Sequence, residues 1–279
     1  MRILLRDVGL TYDPGLPTAR SGLEGVSLEI AAGDAVAIMG PTGSGKTTLL
    51  EIAAGLVVPT MGSAELAGGE RGQTLKSVVG LVYQFPELQF FEETVLDEVA
   101  FGLRALRVAD AEIETRVGAA LDRVGLDHDR FAGRSPMTLS AGEQRRVAIA
   151  ALAVLERPFL LLDEPSAGLD PATRDRILDL IRSERKAGRA VVLVTHDPEL
   201  AEETAERLVV LADGSVAAHG TPAEVFGNAE LLQRLGLEAP PAYELVNALS
   251  RRDERLAGDV ASVVLGTPGL RGGASDDRF

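Results

Sequence analysis

Apolar and polar residues alternate along the first 30 positions. Val26, Leu28 and Ile30 fall on one side with Ser27 and Glu29 between them, the two-residue period of a half-buried strand. The pattern then changes. Ala35 to Met39 is an unbroken apolar run followed by a glycine-rich loop, which predicts a strand buried on both faces, and residues 46–56 follow as a helix. Over residues 95–126 the period becomes helical, with Ile113, Val117, Leu121 and Val124 in one apolar stripe. Residues 140–156 predict another helix, ended by Arg157-Pro158, and residues 172–187 a further one closed by Gly188. Phe159 to Leu162 and Ala190 to Val194 predict two more buried strands. Leu208 to Leu211 and Ser215 to Ala218 flank Asp213-Gly214, a strong hairpin signal. Helical patches run on to about residue 258, and residues 266–279, rich in Gly, Ser and Asp, predict a mobile tail. Strands alternating with helices predict an α/β fold whose sheet is mostly parallel and covered on both faces.

Composition narrows the partners. The 28 Lys and Arg stand against 42 Asp and Glu, a formal net charge of −14. Phosphate backbones need a basic face, so nucleic acid is not the expected partner. The chain has no cysteine, which excludes a disulfide framework, a thiolate metal site and a cysteine nucleophile, and fits a reducing compartment. The opening MRILLRDVGL is too short and too charged for a secretory signal. The longest apolar stretch, Val147 to Leu155, has nine residues, whereas a spanning helix needs about 20. The expectation is a chain that does not cross a membrane, so any membrane role runs through another chain.

Four stretches carry chemistry. Gly40-Pro41-Thr42-Gly43-Ser44-Gly45-Lys46-Thr47 matches G-x-x-x-x-G-K-[ST] between a predicted strand and a predicted helix. Its glycines let backbone N–H groups converge on phosphates, and the helix start adds partial positive charge. Lys46 is expected to reach the β- and γ-phosphates and the Thr47 hydroxyl to ligate Mg²⁺, with Thr48 next along the helix in the same nucleotide-binding set. Lysine is scarce here, at positions 46, 76 and 186 only, so its presence in this loop is informative. The buried strand 159–162 ends in Asp163-Glu164. In α/β sheets ligands bind at the carboxyl ends of strands, so Asp163 is expected to hold Mg²⁺ through water and Glu164 to polarise an attacking water. Thr195-His196 ends the next strand in the same way, and His196 is expected to contact the γ-phosphate. His128 and His219 are read as surface histidines. Leu139-Ser140-Ala141-Gly142-Glu143 opens a helix. Ser140 and Glu143 form a capping box, and a capped helix start containing a glycine can present N–H donors to an anion. A plain helix cap explains the same residues.

These stretches appear in one order with Gln84 and Ser166-Ala-Gly-Leu-Asp170. Together they resemble the ATP-binding subunits of ABC transporters, over nearly the whole chain to about residue 250. The resemblance implies a P-loop (RecA-like) α/β core over residues 1–227, with an antiparallel β subdomain and an inserted helical subdomain at about 85–156, then a C-terminal helical segment, 228–265. It implies ATP and Mg²⁺ as ligands, and a second ATP-binding subunit, homo- or heterodimeric, whose phosphate loop faces Ser140 and Gly142 of this chain. It makes Gln84 a sensor of Mg²⁺ and the attacking water, Asp170 a signal across the dimer, and Tyr12 the aromatic that stacks on adenine. Packing in the core is the alternative for Tyr12. The sequence departs from the family's Leu-Ser-Gly-Gly-Gln at Ala141 and Glu143. Glu143 sets a negative charge near a bound phosphate, with Arg145 and Arg146 close behind as a counterweight.

Gln84-Phe-Pro-Glu-Leu-Gln-Phe-Phe91, then Thr94-Val95 and Glu98-Val-Ala-Phe-Gly102, are similar to the ATPases of energy-coupling-factor transporters, the cobalt and vitamin uptake systems. Phe85 departs from the usual Asn. Gly220-Thr-Pro-Ala-Glu-Val-Phe226 and Leu235-Gly-Leu-Glu-Ala-Pro240 also look like that group. The implied partners are a transmembrane coupling subunit, docked on the aromatic cluster Leu88, Phe90 and Phe91, and a substrate-capture membrane subunit. The implied place is the cytoplasmic face of the membrane. Those aromatics can instead pack the helical subdomain. The ATPase of another ABC transporter is the alternative within the family, and two further functions fit less well. A soluble cassette ATPase acting on nucleic acid is disfavoured by the acidic balance and the single cassette. A GTPase switch is disfavoured because the only asparagines, Asn228 and Asn247, are each followed by Ala.

Overall fold

The computed structural model describes residues 1–85, 89–250 and 254–265. The predicted tail and the Pro86 to Leu88 part of the aromatic cluster lie outside the described residues. Strands β1 (Arg2–Tyr12), β2 (Arg20–Ala31) and β4 (Met61–Ala67) form an antiparallel sheet in the order β2-β1-β4. The second sheet holds β3 (Ala35–Met39), β5 (Val79–Val82), β6 (Phe159–Asp163), β7 (Ala190–Val194), β8 (Arg207–Ala212) and β9 (Ser215–Gly220) in the order β5-β6-β7-β3-β8-β9. Its pairings are parallel except β8 with β9, which meet through Asp213-Gly214. Both turn residues have positive φ, 47° and 77°, as a two-residue hairpin of matching twist requires.

The helices α1 (Lys46–Ala53), α2 (Leu75–Val78), α3 (Val95–Ala105), α4 (Asp110–Arg123), α5 (His128–Phe131) and α6 (Ala141–Ala153) precede β6. After it come α7 (Pro171–Lys186), α8 (Pro198–Thr204), α9 (Pro222–Phe226), α10 (Ala229–Leu235), α11 (Pro241–Ser250) and α12 (Glu254–Val264). Three of these starts share one device. Asp170, Asp197 and Thr221 cap α7, α8 and α9 through side-chain oxygens, and a proline occupies the first turn of each, where its missing N–H is not needed. The predicted helix over 95–126 is broken in two. Arg107 takes a left-handed φ of 59° between α3 and α4, while the apolar stripe Ile113, Val117, Leu121 and Val124 stays buried as expected. Strands β4 and β5 escaped the sequence reading. The first is only partly buried, and the second, Val-Gly-Leu-Val, is too short to show a period.

Burial on both faces of the larger sheet explains its unbroken apolar strands. Val36 and Ile38 face the antiparallel sheet and α1, in a core with Ile3, Leu5, Val26 and Leu50. Ala37 and Met39 face the other way, against Val225, Phe226, Leu231 and Tyr243, so one core spans both sides of residue 227. A third core packs α3, α4, α6 and α7 on β5–β7, around Val99, Val117, Ile149 and Ile177.

A charged seam joins the helices of that third core. Glu184 of α7 is 1% exposed and is paired with Arg123 of α4 and with Arg189, which also reaches Glu156 at 3.1 Å. Removing one member of a buried ionic group strands its partners. Glu184→Ala is therefore expected to cost about 3 kcal/mol. The melting temperature should fall by roughly 6 °C or more, measured by calorimetry.

A candidate nucleotide-binding and hydrolysis site

The three parallel strands β3, β7 and β6 are neighbours, and their carboxyl ends deliver three of the four predicted stretches to one edge. The loop after β3 turns tightly over that edge. Gly40 has φ 147°, and a Cβ there would sit 2.0 Å from the Leu211 carbonyl. Gly45 has φ 97°, and a Cβ there would sit 2.4 Å from the Gly22 carbonyl. A side chain at either place would push the loop off the sheets. The Ser44 hydroxyl is buried without a hydrogen-bond partner inside this loop.

A cavity of about 740 Å³ opens beside the loop, lined among others by Tyr12, Thr42, Gly43, Gly45, Lys46, Thr47, Thr48, Gln84, Asp163, Glu164 and His196. Lys46 is buried, and its Nζ donates to the carbonyls of Gly40 at 2.8 Å and Pro41 at 2.9 Å. Burial lowers its pKa, while Glu164 and Asp163 pull it back up. The Thr47 hydroxyl donates to Asp163 Oδ2 at 2.7 Å. A threonine oxygen beside a carboxylate at this edge is a hard-oxygen pair of the kind that suits Mg²⁺. Burial raises the pKa of Asp163, and the Thr47 hydrogen bond and the Lys46 charge partly offset this.

Glu164 adopts a left-handed φ of 49°, uncommon for a side chain of this size and a mark of local strain. Its N–H still bonds the Val194 carbonyl at 2.9 Å. That bend carries the carboxylate from the strand end toward β7, where Oε2 accepts from the His196 N–H at 3.3 Å and Oε1 lies 3.2 Å from His196 Nε2. The contact at Oε1 lacks hydrogen-bond alignment, which leaves that oxygen buried and unpartnered. Burial, with Asp163 adding, pushes the Glu164 pKa up to about 7. Burial and the Lys46 charge hold His196 below its ordinary value. A carboxyl pushed up toward neutrality, lining the same cavity as the phosphate loop, has the properties of a general base.

Tyr12 is 43% exposed, its ring lies against Gly22, and its hydroxyl pairs with Thr48 Oγ1 at 2.8 Å. It is therefore not a core aromatic and leaves a ring face at the cavity. Pro41 and Ser44 belong to the loop without lining the cavity, and Ser140 and Gly142 lie outside it. At the start of α6 the Ser140 N–H and hydroxyl both donate to Glu143 Oε2, at 2.8 and 2.9 Å, and its oxygen accepts from the Glu143 N–H at 3.4 Å. These bonds to Ser140 hold the Glu143 pKa down, with Arg134 and Arg146 helping. The expected counterweight from Arg145 is corrected: that side chain is buried and reaches the carbonyls of Gln84 and Ala167 instead. His219 is exposed as expected, but His128 is half-buried, packed near Gly118 with Nε2 buried and unpartnered. Sequence reasoning missed the inward turn of Arg145 and the bend at Glu164. An arginine inside an otherwise apolar helix face was the available signal for the first.

A glycine loop wrapped over the carboxyl edge of a parallel sheet, with a buried lysine beneath it, defines a P-loop nucleotide-binding protein. The family model described as ABC transporter matches residues 23–167. The energy-coupling factor transporter ATP-binding protein EcfA2 of Symbiobacterium thermophilum is 42% identical, covering 98% of this chain and 96% of its own. EcfA2 of Streptococcus sanguinis is 40% identical over 90% and 93%. Among solved structures, the dimeric ATP-binding cassette MJ0796, in a post-hydrolysis state with ADP and Pi, is similar with a TM-score of 0.71 and 32% identity, over 79% of this chain and 98% of that one. The cbiO1 protein of Clostridium perfringens, part of the ABC transporter complex cbiONQ, gives a TM-score of 0.71 at 28% identity, over 91% and 96%. The chain belongs to the ATP-binding subunits of ABC transporters. No helix among the described residues is long and apolar enough to cross a membrane.

The raised Glu164 pKa has a consequence for stability. A carboxyl whose folded pKa exceeds its unfolded value favours folding while protonated and opposes it once ionised. Stability is therefore lost as pH rises from the ordinary carboxyl value of 4.5 to about 7, and it is level above that. Glu164→Gln removes that burden. Without nucleotide, the variant should melt higher than the parent at pH 8, by on the order of 2 kcal/mol in stability. At pH 4, below both values, the two should melt nearly together.

Proposed function

We propose that this chain is the ATP-hydrolysing subunit that powers solute uptake through membrane-embedded partners of an energy-coupling-factor transporter, at the cytoplasmic face of the membrane. One observation carries the mechanism: the cavity holds Lys46, Thr47, Asp163, Glu164 and His196, while the capped start of α6, with Ser140 and Gly142, lies outside it. One chain therefore offers a phosphate cradle without its cover and a cover without its cradle. Two such subunits, identical or related, complete each other, and Ser140 and Gly142 act on the partner's nucleotide.

The loop backbone and Lys46 neutralise the phosphates, and Tyr12 offers a ring to the base. Thr47, Asp163 and Gln84 are the residues that would hold Mg²⁺, whose bound charge would polarise the β- and γ-phosphates. Glu164 orients a water toward the γ-phosphorus and takes its proton as the new P–O bond forms and the bond to ADP breaks. His196 fixes the Glu164 carboxylate and faces the γ-phosphate. Catalysis is positioning and charge stabilisation, the usual pattern in phosphoryl transfer.

The docking face is the aromatic group beside Gln84. Phe85 and Phe91 are exposed, Phe91 stacks edge-on to the exposed Phe101 at 4.7 Å, and Phe90 is buried beneath. Exposed aromatics clustered in this way suit an apolar helix of a membrane partner. The division into a cassette, 1–227, and a C-terminal segment, 228–265, belongs to the same proposal.

Capture on a tagged copy of this chain from detergent-solubilised membranes should bring down a second ATP-binding subunit and two kinds of membrane protein. In that complex Glu164→Gln should lower kcat by about a hundredfold or more while retaining ATP in a closed dimer, and Lys46→Ala should lose ATP binding. Parental turnover in Glu164→Gln would remove Glu164 from its role. Phe91→Asp should leave ATP binding unchanged and release the membrane companions, read by the same capture.

A further inference from the structure

Arg145 lies in α6, whose start carries Ser140, and its side chain turns inward to 8% exposure. One guanidinium nitrogen, Nη2, donates to the Gln84 carbonyl at 2.7 Å, and Nη1 donates to the Ala167 carbonyl. These carbonyls come from segments far apart in the chain. Gln84 follows β5 and lines the cavity. Ala167 stands between β6 and α7, and its N–H closes a turn on the Glu164 carbonyl at 3.3 Å. A buried guanidinium is a rigid, permanently charged fork, so two carbonyls held on it keep a fixed spacing. The acceptors are backbone atoms. Displacing α6 therefore shifts the Gln84 strand end and the Glu164 turn together through the Arg145 side chain alone, whatever the rotamers of Gln84 and Glu164.

We propose that Arg145 is a positioning residue that couples the two composite ATP sites. When Ser140 seats on the partner's nucleotide, α6 moves, and Arg145 carries that movement to Gln84 and Glu164 in this chain's own site. The inference rests on the composite-site reading above and adds the residue that makes the two sites answer to each other.

The test uses the captured complex, with ATPase rate measured against ATP concentration, alongside ATP binding and thermal melting. Arg145→Met should keep ATP binding within about threefold, lower kcat by about tenfold or more, and bring the Hill coefficient down to about 1. Arg145→Lys retains the charge but cannot span both carbonyls. It should melt near the parent and still lose the cooperativity, and it decides the matter if Arg145→Met does not fold. Either folded variant with the parental Hill coefficient overturns the proposal, even if kcat falls, because a purely structural arginine would lower rate without uncoupling the sites. A parental Hill coefficient of 1 overturns the composite-site reading itself, and this proposal with it.

Discussion

The electrostatics of the molecule turn on one buried ammonium group. Lys46 sits under its own loop, bonded to the carbonyls of Gly40 and Pro41, with Asp163 and Glu164 as the nearest opposing charges. Without it, two adjacent buried acids would stand side by side at the end of β6 in a chain that is already strongly acidic. With it, the strand ends can hold a carboxylate pair whose members differ in character. Asp163 is tied to Thr47, whereas Glu164 keeps an oxygen free. A polyphosphate entering the cavity competes with the loop carbonyls for the same ammonium, so binding and loop geometry are one event.

Much of this was legible in the sequence because it depends on local rules. A glycine loop between an apolar strand and a helix admits few geometries, and three buried parallel strands bring their ends to one edge whatever lies between them. The strands β3, β6 and β7 and the hairpin at Asp213-Gly214 were visible for that reason. What stayed hidden depends on tertiary context. The left-handed bend at Glu164 is set by the bond to Val194 on the neighbouring strand, and no local signal marks it. The inward path of Arg145 exists only because two distant carbonyls need donors. Short or half-exposed strands such as β4 and β5 carry too little period to read.

The helical insertion illustrates how stability and function share residues. Its apolar stripe packs on the sheet, while Glu184 with Arg123 joins it to the sheet's flanking helix α7, and Glu156 with Arg189 joins it to the residues just before β7. Ionic seams of this kind tolerate small rotations better than interlocked apolar side chains, which have few alternative packings. The helix bearing Ser140 is also held by that shared apolar core, so packing and charge together fix where it stands.

The cradle is also shaped from outside its own sheet. The Gly22 carbonyl of β2 occupies the space that a side chain on Gly45 would need, and the Tyr12 ring at the end of β1 rests on Gly22. Part of the mould for the phosphates therefore belongs to the small antiparallel sheet. Chimeras that exchange this sheet between related transport ATPases would inherit the donor's grip on the triphosphate, even with every residue of the recipient's glycine loop left in place.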